Sequence, residues 1–214
     1  MSKVIHIDPE NPSAEVVNLA ANVLRDGGIV VFPTETVYGI GASATSCFGP
    51  QEIIDIKMRP ENKPLPWLVE DEAALDKYGV EVPEYAHRLA KAFWPGALTI
   101  VVKAADIVAP EFRDNRGTVA LRCPDHHIVQ ELIRASGAAI ITTSANTSGL
   151  PAPGDFADLE ERIIAAADLT LDGGETPHRM ASTVVDCTGP EPVVTREGPV
   201  SADDVMAIAQ GPAS

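Results

Sequence analysis

Positive charge is scarce in this sequence. Its 16 Lys and Arg stand against 31 Asp and Glu, a net charge of −15. A surface of that sign repels polyphosphates at long range. Broad nucleic-acid binding is disfavoured, since it needs a basic footprint. Cysteine is scarce too. Cys47, Cys123 and Cys187 are far apart, odd in number and without a C-x-x-C pair, which fits a reducing compartment and no structural zinc. Long apolar runs are missing. "ALTIVV" (97–102) is far too short to span a bilayer, and the start "MSKVIHIDPENP" lacks the apolar core of a leader. The expectation is a soluble cytoplasmic protein with no membrane contact.

Several catalytic signatures are also absent. There is no G-x-x-x-x-G-K-[ST] phosphate loop, and "GIGASA" only begins like a dinucleotide-binding glycine pattern. No G-x-S-x-G nucleophile elbow occurs. His126 and His127 are adjacent rather than four apart on a helix, so they do not form a metal face. Internal repeats and low-complexity tracts are absent.

What remains is an ordinary globular mix: 214 residues, 45% hydrophobic and 22% charged. Helical spacing of Val16, Leu19, Ala20, Val23 and Leu24 predicts a helix that Asn11 caps and Gly27-Gly28 ends. Further helices are predicted around 49–59, 83–94, 125–136, 155–167 and 201–209. Strands are predicted at 29–32, 65–69, 97–102, 118–122, 138–143, 182–186 and 192–196, and "PTETVYGIGA" (33–42) as a loop. The elements do not alternate as a clean βαβαβ series. The strand pairs near 97–122 and 182–196 imply some antiparallel pairing. The expected fold is a single α/β (α+β mixed) domain, a large mixed parallel/antiparallel sheet flanked by helices.

Polar clusters fall at the predicted strand ends, where open α/β sheets hold their ligands. They are "PTETVYG" (33–39), "KMRPENK" (57–63), "TVALR" (118–122), "TTSANTSG" (142–149), "ST" (182–183) and "TR" (195–196). Hydroxyls, lysines and arginines dominate them. Glu35 and Glu61 are their only carboxylates. That balance suits an anionic, oxygen-rich ligand, gripped by Arg in pairs of hydrogen bonds and by Lys as a point charge. Singly, each piece reads as readily as a solvated helix end, a capped turn or a surface charge.

In order, "GGIVVFPTETVYGIGA", "IKMRPENKPL", "FWPGALTIVV", "TVALRCPDH", "TTSANTSGLPAP", "STVVD" and "VTREGPV" resemble the YrdC-like family, the L-threonylcarbamoyladenylate synthases. The resemblance spans nearly the whole chain. It implies a twisted YrdC-like domain over residues 13–210, after an extension (1–12) and before a tail (211–214), in the short single-domain form. It implies synthesis of threonylcarbamoyl-AMP and pyrophosphate from L-threonine, bicarbonate and ATP, with Mg²⁺ arriving on ATP and no resident metal. A downstream tRNA threonylcarbamoyl transferase would use the product, and tRNA itself would be met at most indirectly. The threonine side would be Thr36, Arg122, Thr142 and Ser182. The ATP side would be Arg59, Lys63, Thr118, Ser144 and Arg196. The K-x-R and S-x-N pairs, Lys57/Arg59 and Ser144/Asn146, would be catalytic. Two rival readings share the fold: an RNA-binding module, and a carbamoyl-handling domain of the hydrogenase-maturation type. The chain departs from the family pattern at Leu68, where many members carry His, and at Glu197, where Pro is usual. It also has "WPGALT" for "WPGPLT", and "HRMAST" lacks the Gly or Glu often found before "ST".

Overall fold

The computed structural model describes residues 3–46, 50–58 and 65–211. Its strands are β1 (Lys3–His6), β2 (Val30–Phe32), β3 (Gly39–Ser43), β4 (Trp67–Leu68), β5 (Leu98–Lys103), β6 (Thr118–Arg122), β7 (Ile140–Ser144), β8 (Leu169–Asp172), β9 (Thr183–Asp186) and β10 (Val193–Arg196). The helices are α1 (Ala14–Arg25), α2 (Gln51–Lys57), α3 (Ala74–Tyr78), α4 (Glu84–Phe93), α5 (His127–Ser136), α6 (Glu161–Ala166) and α7 (Ala202–Gln210). All ten strands join one mixed sheet, in the order β1-β8-β2-β3-β7-β4-β6-β5-β9-β10. The antiparallel pairs expected near 97–122 and 182–196 are β5–β6 and β9–β10.

A core lies on each face, because strand side chains alternate. In β2, Val31 enters one cluster with Tyr38, Ile40, Leu89 and Leu121. Its neighbours Val30 and Phe32 enter a second cluster with Leu24 of α1 and Leu132 of α5. Each such buried aliphatic side chain contributes roughly 1.5–3 kcal/mol. The first cluster includes side chains of β5, β6 and β9. The second includes none from β5, β6, β9 or β10. There the sheet face stays outside that core and carries polar groups among small apolar ones.

Five local differences from the sequence reading have physical causes. Residues 39–43, expected within a loop, form β3 between β2 and β7. A Cβ on Gly41 would lie 2.7 Å from the Ile141 carbonyl, so the glycine that looked like a loop signal lets β7 approach. Residues 3–6, read as part of an extension, pair with β8 at the sheet edge. β8 itself is not among the predicted strands, since its short run follows directly on the alanines that end α6. The helix expected over 155–167 is broken. Asp155 caps a 3₁₀ turn (Phe156–Asp158), and α6 begins only at Glu161. Glu160, extended between them, accepts hydrogen bonds from the N–H and hydroxyl of Thr147. Finally, Ser13 rather than Asn11 stands at the start of α1, its carbonyl accepting from Val17 N–H at 3.0 Å.

Candidate functional site

The polar half-face is a groove. Val119 and Leu121 of β6 point into the first cluster, so Ala120 and Arg122 face the other way. By the same alternation β5 presents Thr99 and Val101, and β9 presents Val184. With Thr34, Thr36, Thr142, Ser144, Ser182, Thr195 and three arginines they line a cavity of about 520 Å³.

One end is built around Arg122, which is only 6% exposed. Its Nε donates to the Gly96 carbonyl at 3.2 Å and its Nη1 to Thr36 Oγ1 at 3.0 Å. Thr36 Oγ1 in turn shares a hydrogen bond with Thr34 Oγ1 at 2.8 Å. Nη2 lies 2.6 Å from Glu35 Oε1, but its N–H groups are not aimed along that line. The contact is therefore ionic more than a hydrogen bond. Oε1 of Glu35 also accepts from Asp125 N–H at 3.0 Å. Thr142 Oγ1 donates to the Ile40 carbonyl at 3.1 Å. Leu68, on β4 between Arg122 and Ile140, gives this end an apolar wall. Beside it, burial pushes the His126 imidazole down to about 4, so the ring is neutral at pH 7.

The turn after β7 is fixed from below by Lys57, which is 2% exposed. Its Nζ meets the carbonyls of Ser144 and Asn146 and, at 3.1 Å, Asn146 Oδ1. The Asn146 amide then donates to the carbonyls of Thr147 at 3.0 Å and Leu150 at 2.7 Å. An ammonium and an amide thus hold the strand-to-turn corner that carries Ser144 to the groove.

The other end holds Arg196 and Arg116. Arg196 Nε donates to the Ser182 carbonyl at 2.9 Å and Nη2 to Ser182 Oγ at 3.2 Å. Ser182 Oγ is tied to Thr99 Oγ1 at 2.8 Å. Burial, then the charge of Arg122, lowers the Arg196 guanidinium from its usual value, although much of the residue faces solvent. Arg116 bridges Asp114 at 3.1 Å and Asp186 at 2.6 Å. Burial opposes ionisation of both carboxyls. Hydrogen bonds from Thr118 and Arg116 at Asp114, and from Thr188 and Arg116 at Asp186, outweigh it and hold both below the ordinary range.

The chain matches the Sua5/YciO/YrdC family, described as "Telomere recombination", over residues 22–198. It belongs to that family. A threonylcarbamoyl-AMP synthase of Pyrococcus abyssi is 38% identical over 189 residues, covering 88% of this chain and 56% of the relative. The chain therefore spans little more than half that relative's length. A putative threonylcarbamoyl-AMP synthase of Mycobacterium tuberculosis is 36% identical, covering 94% of this chain and 92% of the relative. The solved structure of P. abyssi Sua5 complexed with L-threonine superposes with a TM-score of 0.91 at 35% identity, over 97% of this chain and 61% of that one.

Of the family positions expected from the sequence, Thr36, Arg122, Thr142, Ser144, Ser182 and Arg196 line one cavity, and Ser182, expected on the threonine side, is hydrogen-bonded to Arg196 of the expected ATP side. Lys57 and Asn146 do not line it; they support the turn from behind. Thr118 lies on β6, buried beside the groove but not on its lining, and its hydroxyl makes no well-aligned hydrogen bond. Arg59 and Lys63 fall outside the described residues. Glu197 does not compete for Arg196: its carboxylate accepts from Ala202 N–H at 3.1 Å, at the start of α7. The sequence reading missed Thr99, Asp114 and Arg116. Thr99 was visible as the one hydroxyl inside an apolar strand. The pairing of Arg116 with Asp186 joins residues 70 positions apart, and no local pattern announces it. Cys123 and Cys187 are free and buried, and burial pushes their thiols up to about 11 and about 12, which leaves them protonated and poorly nucleophilic. Cys47 is outside the described residues.

Proposed function

We propose that this chain is a nucleotidyltransferase, an L-threonylcarbamoyladenylate synthase. The observation that carries the proposal is the groove, which puts the buried Arg122–Thr36–Thr142 end beside Ser144 and the Arg196–Ser182 pair. Arg122 and the hydroxyls suit an amino acid with one carboxylate and a hydroxyl side chain. Arg196 suits a triphosphate; Arg59 and Lys63, which lie outside the described residues, would share that role on the family resemblance. Likeness to a relative solved with L-threonine supports the first half.

The chemistry asks little more of the protein. Threonine's amine adds to bicarbonate with loss of water to form a carbamate. A carbamate oxygen attacks the α-phosphorus of ATP. The bond from that phosphorus to the oxygen bridging to the β-phosphate breaks, and pyrophosphate leaves. The nucleophile belongs to a substrate, so no activated Ser or Cys is required. The protein holds the reactants in line and meets charge growing on pyrophosphate. Mg²⁺ would come bound to ATP. Among the described residues no three His, Cys, Asp or Glu gather as a metal site.

The downstream partner would be a transferase that moves the threonylcarbamoyl group to the adenosine beside a tRNA anticodon, and the place of action the cytoplasm. Among the described residues no helix is long and apolar enough to cross a membrane. The test is pyrophosphate release from ATP with bicarbonate, with threonine, serine or no amino acid. Release that depends on threonine supports the proposal; release indifferent to the amino acid refutes it.

A further inference from the structure

Three arginines line the groove, and they are not electrically equal. Arg116 is matched by Asp114 and Asp186. Arg122 is matched by Glu35, itself only 4% exposed. Arg196 has no carboxylate partner among the described residues. Its hydrogen bonds go to the carbonyl and hydroxyl of Ser182. A buried carboxylate against a buried guanidinium interacts strongly because little water screens the pair. Glu35 does not line the cavity. It acts from behind, with Oε1 fixed by Asp125 N–H and its backbone carbonyl accepting from His178 N–H at 2.9 Å.

We infer that Glu35 is a specificity-determining residue: it neutralises the Arg122 end of the groove, so that this end takes a zwitterion with one carboxylate while polyphosphate is directed to Arg196. The inference rests on the assignment of Arg122 to the amino-acid carboxylate. It deepens that assignment by explaining how two arginines in one cavity receive different anions. A zwitterion needs directed N–H groups more than net charge. A triphosphate needs net charge. With Glu35 neutral, Arg122 would carry a full uncompensated charge beside the same hydroxyls and would attract phosphate oxygens.

The probe is inorganic tripolyphosphate, titrated with and without L-threonine and followed by calorimetry. In the wild-type protein it is expected to compete with ATP and to leave threonine affinity unchanged; competition with threonine there would overturn the inference. In Glu35→Gln, shown folded by a cooperative melt, tripolyphosphate should weaken apparent threonine binding by at least about tenfold, the scale of one uncompensated charge contact. Absence of that competition in the folded variant would overturn it. Should Glu35→Gln fail to fold, Glu35→Asp keeps the carboxylate but withdraws it by one methylene. A smaller competition, about three- to fivefold, is then expected, and a wild-type pattern would overturn the inference. Arg122→Ala separates the two levels. If it binds threonine normally, the amino-acid assignment fails. If it loses threonine while the Glu35 variants show no competition, only the role of Glu35 fails.

Discussion

Replacing Lys57 with methionine tests whether the K-x-R lysine acts through the turn rather than on substrate. Methionine keeps most of the buried length but removes the ammonium. Three oxygens, the carbonyls of Ser144 and Asn146 and the Asn146 amide oxygen, then lose a charged donor. Hydrogen bonds to charged groups are worth about 1.5–3 kcal/mol each, and an unpaired buried acceptor costs about 1–3 kcal/mol. Relief from desolvating the ammonium offsets part of the sum, so a net loss of about 3–5 kcal/mol is expected, as for other broken buried charge contacts. For a chain of this size that lowers the melting temperature by roughly 6–20 °C. The corner it releases begins at Ser144, the last residue of the β3–β7 ladder, whereas Thr142 sits two residues further inside it, opposite Gly41. ATP affinity should therefore fall by about tenfold, with threonine affinity held. Thermal unfolding and calorimetric titration of both ligands read the two effects. A variant that melts with the wild type but turns over no substrate would refute the clamp and place Lys57 in direct contact with the reaction.

Arg196→Ala should weaken ATP by roughly tenfold to a hundredfold and leave threonine binding and folding intact; unchanged ATP affinity in calorimetry would remove Arg196 from the phosphate end. Gly41→Ala should cost about 1–3 kcal/mol of stability, because the added carbon would sit 2.7 Å from the Ile141 carbonyl and 2.8 Å from Ile140 Cγ2; an unaltered urea midpoint would contradict that close approach. Stability should also fall as pH drops from about 6.5 toward 4. His126 is pushed down to about 4 by burial, so over that window the unfolded chain binds a proton the folded chain refuses. The loss should be on the order of 2–3 kcal/mol. A His126→Asn variant should show a flatter dependence in urea unfolding at pH 7 and pH 5, and an identical slope would exclude His126 as its source.

The fold was legible where one force dominated. α1 follows from helical spacing and a glycine stop. β5 and β6 follow from short apolar runs, in which Thr99 and Arg122 stand out as polar residues. Glycines misled where they serve packing between strands. Gly39 and Gly41 admit β7 and the Phe32 ring, which cannot be told from a loop without knowing the partner. The site's residues were legible as ordered motifs, but their division of labour was not. Lys57 and Asn146 look like groups that face substrate, and only their contacts show that they hold a turn. Glu35 stood inside a quoted motif, yet its pairing with Arg122 spans 87 positions and depends on the sheet order that brings the β2–β3 connection to the end of β6.

The most direct test of the central claim follows the carbon of bicarbonate. The protein is incubated with ATP, L-threonine and isotope-labelled bicarbonate, and the nucleotide products are resolved by mass spectrometry. The account predicts an AMP adduct carrying both threonine and the labelled carbon, formed in step with pyrophosphate and lost when any one reactant is withheld. Pyrophosphate release with an adduct that lacks the label, or threonyl-AMP in its place, would show that the groove activates the amino acid's own carboxylate, and the carbamate mechanism would be wrong.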